Sequence, residues 1–436
     1  MLRHPTPRLA RTGPAARSAA TRPAAVALLA GRAARTFTAL ACAALLAGCS
    51  GADGTGVTSP PPPPLPPPPT DTVLALGERL FDAETFGGNG RTCVTCHMRE
   101  TGTITIEAVA ERLARDPADA LFRHDGLDGG DAGVSRIAAN ATVRVELQLP
   151  PFVTLANDPA RRTIVVNRGV PSTINTPALD GGVRAALMYD LRHNDLQAQA
   201  LDAVRGHAKS TVTPTAAQLD AIAAFEKGND RFFSSAAIRT HARGGPQPEL
   251  PAGNTESERR GRLFFLDKAV AGTKQGMCGE CHAGANLNEV SELGARESGS
   301  AGLLPGAKFG STLVAETNRN HDPLYTFRVD DGAGDVRLVS LPDPGILLTD
   351  RRSASHLAAF QQAGLHPAVN AGFFKTPSLW GVRLTPPYFH DNSAKTLRDV
   401  VDHYANVFFK RFTFVGAFVE LTEQDRQDIV AFLRLL

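Results

Sequence analysis

The chain has 436 residues, 42% of them hydrophobic, enough to bury a core in two or three domains and too long for a small disulfide-stapled protein. Its 46 Lys and Arg nearly cancel its 44 Asp and Glu, which gives no reason to expect a nucleic-acid partner or an electrostatic hold on a membrane. With 40 Gly, 31 Pro and 6% aromatic residues, the composition favours a loop-rich enzyme or carrier that takes part of its bulk from a cofactor.

Residues 1–49 read as an export signal. An Arg-rich leader precedes an apolar stretch from Phe37 to Ala47, then Leu46-Ala47-Gly48-Cys49, the small-residue pattern that ends a bacterial lipoprotein signal. Cys49 would then carry the lipid that anchors the chain on the periplasmic side of a membrane. A plain secretory signal cut nearby would export the chain equally well. Residues 50–70 form a linker in which nine prolines, broken by Leu65, make a stiff polyproline spacer.

Of the six cysteines, Cys42 lies inside the signal and Cys49 takes the lipid. The other four form Cys93-Val94-Thr95-Cys96-His97 and Cys278-Gly279-Glu280-Cys281-His282. Both read C-x-x-C-H, the attachment signature of c-type haem: two thiols reach the porphyrin vinyl groups, and the adjacent His ligates iron. A zinc ribbon needs its two pairs about 15 to 20 residues apart. Here 181 residues intervene, and zinc leaves the His after each pair unexplained. A thioredoxin-like dithiol needs a βαβ setting that is not evident. Two covalent haems, on His97 and His282, follow.

The halves repeat one another. Gly77-Glu78-Arg79-Leu80-Phe81 precedes the first site on a predicted amphipathic helix, as Gly261-Arg262-Leu263-Phe264-Phe265 precedes the second. Pro171-Ser172 corresponds to Pro377-Ser378, and Tyr189-Asp190, with Leu196 beyond, to His390-Asp391 with Leu397 at the same spacing. Each half closes on a helix with a Thr cap, Thr215 to Phe225 and Thr422 to Phe432. The expected fold is mainly α, two tandem cytochrome c-like domains over 71–240 and 250–436. Loop and short-strand insertions at 98–166 and 283–370 include the β-like runs Thr142 to Leu149 and Tyr325 to Val329. A loop carrying Asp125, Asp128 and Asp131 reads as solvated, since its spacing fits no calcium loop.

These residues resemble the bacterial di-haem cytochrome c peroxidase and MauG-type superfamily. The most specific part is Phe374-Lys375-Thr376-Pro377-Ser378-Leu379 with Leu384-Thr385-Pro386-Pro387-Tyr388-Phe389-His390-Asp391. The resemblance implies a periplasmic enzyme whose haem on His97 meets hydrogen peroxide while the haem on His282 relays electrons from a small exported cytochrome c or cupredoxin. It also implies a possible homodimer, an inter-haem role for His390, and calcium held through Thr385 and Pro387, although the partner asparagine position is Gly169. The relay haem's usual Met is replaced by Tyr404, thirteen residues after Asp391, the residue that MauG-type members place there. Leu397, Val400, Val401 and Tyr404 share one helix face, so Tyr404 is either a sixth ligand or a core tyrosine. The family's distal glutamate is missing. His207, which ends the inner face of Leu196, Ala200 and Ala203, is either the distal acid-base, a sixth iron ligand or a helix cap. Tyr189 stands at the position of the family's inter-haem tryptophan. Three functions remain open: the peroxidase, a MauG-like oxidase acting on a partner protein, and a non-enzymatic electron carrier.

Overall fold

A computed structural model describes residues 70–123, 127, 134–180, 187–297, 303, 305–349 and 364–436. The export signal with Cys42 and Cys49, the proline spacer up to residue 69, and Asp125, Asp128 and Asp131 lie outside the described residues. Six helices carry the repeat: α1 (Asp71–Ala83), α2 (Leu196–Gly206), α3 (Ala216–Gly228), α4 (Glu256–Leu263), α5 (Leu397–His403) and α6 (Glu423–Leu433). Among the described residues no helix is long and apolar enough to cross a membrane.

Helices at corresponding sequence positions share their capping. Thr215 and Thr422 cap α3 and α6, each accepting the N–H three residues on, while Gln218 and Asp425 reach back to the cap backbone. Thr396 caps α5 in the same way with Asp399, and Asp195 caps α2 by accepting the Ala198 N–H. Ahead of those helices, short bridges pair Leu187 with His193 and Tyr388 with Ala394, so Tyr189 and His390 sit at the same place in equivalent loops.

Each half is closed by a crossing of its first and last helices at a glycine. A Cβ on Gly77 would lie 2.1 Å from the Ala221 carbonyl oxygen of α3, and one on Gly261 would lie 2.0 Å from that of Asp428 on α6. Phe225 and Phe432, both fully buried, pack beside those glycines at corresponding positions.

The two inserts form a layer together. β1 (Thr142–Gln148) pairs antiparallel with β3 (Thr163–Gly169), and β2 (Val153–Leu155) joins β4 (Tyr325–Asp330) and β5 (Val336–Leu341) in a three-stranded antiparallel sheet. Val153 faces Val329 and Leu155 faces Phe327, so the first insert supplies an edge strand to the second. Val153, Ile164, Phe327, Val329 and Leu347 form their shared apolar core. Period-two patterning predicts β1 and β4 individually. It carries no information about a partner some 170 residues away, which is why the inserts read as separate loops.

Because the glycine crossings leave no room for a methyl group, Gly77→Ala is expected to destabilise the protein by about 1–3 kcal/mol. Gly206, with nothing within 4 Å of its Cβ position, is the control. Gly206→Ala should leave the thermal unfolding midpoint unchanged or slightly raised. Equal midpoints for the two variants would show that the helix crossing is not under steric constraint.

Candidate functional site

Cys93, Cys96 and His97 lie in one wall of a large cavity that also takes in Phe81, Arg168, Tyr189, Leu196, Ala200, Ala203, His207 and Glu226. Its empty space is about 1290 Å³, a figure that includes open solvent at the mouth. Cys93 to Cys96 form one helical turn, which sets both thiols beside the histidine that follows. His97 Nδ1 lies 2.9 Å from the Gly102 carbonyl oxygen, and His282 Nδ1 lies 2.8 Å from that of Leu287, in each case five residues further on. A carbonyl only accepts, so each Nδ1 carries the proton and each Nε2 is left with a lone pair. This is the tautomer of a metal-ligating imidazole oriented by a backbone acceptor. Burial keeps both rings neutral by pushing their pKa values down.

The thiols discriminate among the chemistries open to C-x-x-C-H. Burial pushes Cys93 and Cys281 up to about 12 and raises Cys278 as well. A redox dithiol needs a depressed thiol, the opposite of this setting. Among the described residues no three His, Cys, Asp or Glu side chains converge on a metal position, and no disulfide joins these cysteines. Redox dithiol chemistry is therefore disfavoured by the environment of the thiols. Paired sulfurs, an oriented imidazole and a roomy apolar cavity fit a covalently attached haem.

His207 follows α2 as its C-cap and lines the same cavity as His97. Its carbonyl accepts from Asn89 Nδ2 at 3.0 Å and from an Arg91 guanidinium nitrogen at 3.1 Å, which fixes the backbone beneath the ring. In the second half, α5 ends at His403 and the chain continues as a single π-helical turn from Tyr404 to Phe408. Such turns recur at functional sites. Tyr404 is partly buried against the apolar core, and its phenol is pushed up by burial and by the neighbouring Cys281 and Cys278 sulfurs, so it stands next to the second attachment site. His403 turns away, accepting from Arg319 at Nδ1 and bonding the Thr312 carbonyl through Nε2.

Beside the first site, with Tyr189 and Arg168 in the cavity wall, lies an aromatic and ionic cluster. The Tyr189 and His390 rings meet edge to face at 6.5 Å, and Phe374 stacks on His390 with centroids 3.6 Å apart. The Lys375 N–H donates to the Tyr189 carbonyl, and the Gly169 N–H donates to that of His390. Arg168, 2% exposed at the end of β3, makes two bonds to Asp343 at 2.7 and 2.9 Å and one to Asp190 at 2.7 Å. Burial alone would raise both carboxyls; Arg168 instead holds them below the usual range. Thr385 caps a short turn before the cis Pro386-Pro387 bond. The space beside Gly169 is filled by Asn392, whose amide donates to the Asn140 and Ala141 carbonyls.

No family model matches the chain. Over 65 residues, 14% of the chain and 18% of the relative, it is 43% identical to the methylamine utilization protein MauG of Methylorubrum extorquens. Over 141 residues, 31% of the chain and 40% of the relative, it is 28% identical to the cytochrome c551 peroxidase of Nitrosomonas europaea. The chain resembles the di-haem cytochrome c peroxidase and MauG-type superfamily. The matches span less than half the length of either curated relative. Among solved structures, a MauG-like protein associated with microbial copper homeostasis has a TM-score of 0.43 at 21% identity, covering 86% of this chain and 90% of that one. The diheme peroxidase BthA of Burkholderia thailandensis has 0.40 at 16%, covering 84% and 86%.

Sequence reasoning passed over Arg168, Asp343 and Glu226. Asp343 lies in the second insert and Arg168 just past the end of the first, and neither falls in an apolar repeat. Glu226 did carry one, since Leu219, Ile222, Ala223 and Glu226 share the buried stripe of α3.

Replacing Arg168 with Met would strand two buried carboxylates, and a loss of about 3–5 kcal/mol is expected from denaturant unfolding near neutral pH. Both carboxyls have depressed folded pKa values, so their stabilisation is present above about pH 4 and lost as pH falls further. The gap between wild type and variant should therefore narrow on acidification. A gap independent of pH down to the acid range would show that the ion pairs are not its source.

Proposed function

We propose that this chain is a di-haem c-type peroxidase that reduces hydrogen peroxide with electrons from a small exported cytochrome c or cupredoxin. The observation that carries the proposal is the first C-x-x-C-H site, whose oriented imidazole shares a large cavity with a second histidine, His207. Cys93 with Cys96 and Cys278 with Cys281 would hold the two haems as thioethers, and Nε2 of His97 and His282 would address the irons. Bound there, haem supplies redox-active iron for peroxide at the first site and an electron store at the second.

The protein's own groups do the rest. His207 can accept a proton from peroxide and return it to the leaving oxygen, work suited to an imidazole near neutral pH. The hydrogen bonds to its carbonyl keep the ring at the cavity wall while it does so. Tyr189, His390 and Phe374 supply a contiguous aromatic path between the halves, and Arg168 with Asp190 and Asp343 holds the segments that carry them. The leader pattern supports an exported protein anchored through Cys49.

Tyr404 favours a second reading, a MauG-like oxidase acting on a partner protein. A tyrosine oxygen offered to the second haem would favour oxidised iron, and Tyr404 packs against the same apolar core as Cys278.

Material matured in a host with c-type cytochrome machinery should carry two haems by mass, and a Cys93→Ala, Cys96→Ala variant one. The ferric spectrum should contain a high-spin component. His207→Ala is expected to slow peroxide-driven oxidation of a reduced small cytochrome by about 10²- to 10⁴-fold. Two low-spin haems inert to peroxide would leave only an electron carrier. Reaction with peroxide without turnover of any small electron donor would shift the assignment to the MauG-like reading.

A further inference from the structure

Glu226 is a carboxyl that neither the helix packing nor the peroxide chemistry above requires. It lies in the last turn of α3, 4% exposed, in the wall of the cavity that holds Cys93 and His97. Its Oε2 is buried without a hydrogen-bond partner. At the corresponding position of α6, one residue after Phe432, the second half has Leu433, 5% exposed. The same helix crossing is thus built elsewhere in this molecule with an aliphatic side chain.

A carboxyl buried without a dedicated counter-ion keeps its proton more tightly than one in water. Burial pushes Glu226 up to about 8, with Arg231 and Lys227 pulling weakly the other way. The Arg231 guanidinium is engaged elsewhere, donating to Asp82 on α1 at 2.8 and 3.1 Å, with Glu78 at its edge, and stacking over Phe81, Phe225 and Phe232. Cys93 is the near neighbour from the attachment turn: the Glu226 charge is one of the causes that raise its thiol. The remaining ionisable groups of the cavity wall are Glu84, Arg91, Cys96, His97, Arg168, Tyr189 and His207.

We propose that Glu226 is a redox-linked proton site of the first haem, taking up one proton from solvent when that haem gains one electron and releasing it when the electron leaves. This rests on the haem reading above. The electron comes from a one-electron donor, ferric iron becomes ferrous, and the only bond made or broken is the carboxyl O–H. The added negative charge is thereby cancelled inside the cavity wall, where Coulomb interactions are much stronger than in water. Coupling of this kind is reciprocal, so an ionised Glu226 must lower the affinity of the haem for its electron.

The test is a potentiometric titration of the holoprotein, followed by visible absorption at several pH values, for wild type, Glu226→Gln and Glu226→Leu. The leucine variant copies the residue at the equivalent place in the second half. The first-site couple is the one missing from the Cys93→Ala, Cys96→Ala variant. In wild type its potential should fall with pH above about 8 by about 59 mV per unit, one proton per electron. In both variants that slope should vanish and the potential at high pH should rise, with the second couple unchanged. The infrared difference between oxidised and reduced wild type should contain a carboxylic C=O band absent from Glu226→Gln. An unchanged slope in the variants, or a flat wild-type couple, would overturn the inference and leave the di-haem assignment standing. A cysteine variant that still holds two haems would instead overturn the assignment.

Discussion

The arrangement depends on one small constraint, a backbone carbonyl placed five residues after each C-x-x-C-H histidine. By accepting the Nδ1 proton it decides which ring nitrogen turns outward, and it does so identically in both halves. A side-chain acceptor could rotate or titrate; a peptide oxygen does neither. Every proposed electron or proton transfer presupposes that imidazole in that tautomer, with paired sulfurs beside it. The glycine crossings serve the same end, since they bring the first and last helices close enough to enclose each attachment turn.

The second organising element is Arg168. It stands at the end of β3, just past the first insert, and its partners come from opposite halves: Asp190 beside Tyr189, and Asp343 beyond β5. A buried ion pair of this sort adds little net stability compared with apolar packing, but it tolerates no missing member. It therefore locks a geometry more than it strengthens a fold. What it locks is the meeting of Tyr189, His390 and Phe374.

Local chemistry was legible in the sequence wherever a rule of spacing applied. The thiol pairs, the Thr caps of α3 and α6, the inward face of α2 ending at His207 and the face of α5 ending at Tyr404 all follow from short-range periodicity. The Tyr189 and His390 loops were found by comparing the chain with itself. The pairing of β2 with β4, the Arg168 cluster and the filling of the space beside Gly169 by Asn392 were not legible. Each joins residues far apart in sequence, and nothing local encodes the partner. Glu226 falls between these cases, because its helical position marked it as buried while only the folded cavity showed what it was buried beside. The π-helical turn at Tyr404 is also beyond periodicity, which would simply have extended α5.

The strand contributed by the first insert to the sheet of the second has a consequence for biogenesis. Val153–Leu155 have no strand partner until residues 325–330 have been made, and Arg168 waits for a carboxylate 175 positions downstream. Closing so long a loop is entropically slow and opens a period in which apolar strand edges lie uncovered. An emerging nascent chain therefore presents its first attachment cysteines well before the wall around them can be completed. That order of events leaves the thiols accessible until the cavity wall, whose last residue is Glu226, has been made, and the later pairing of the inserts covers the strand edges.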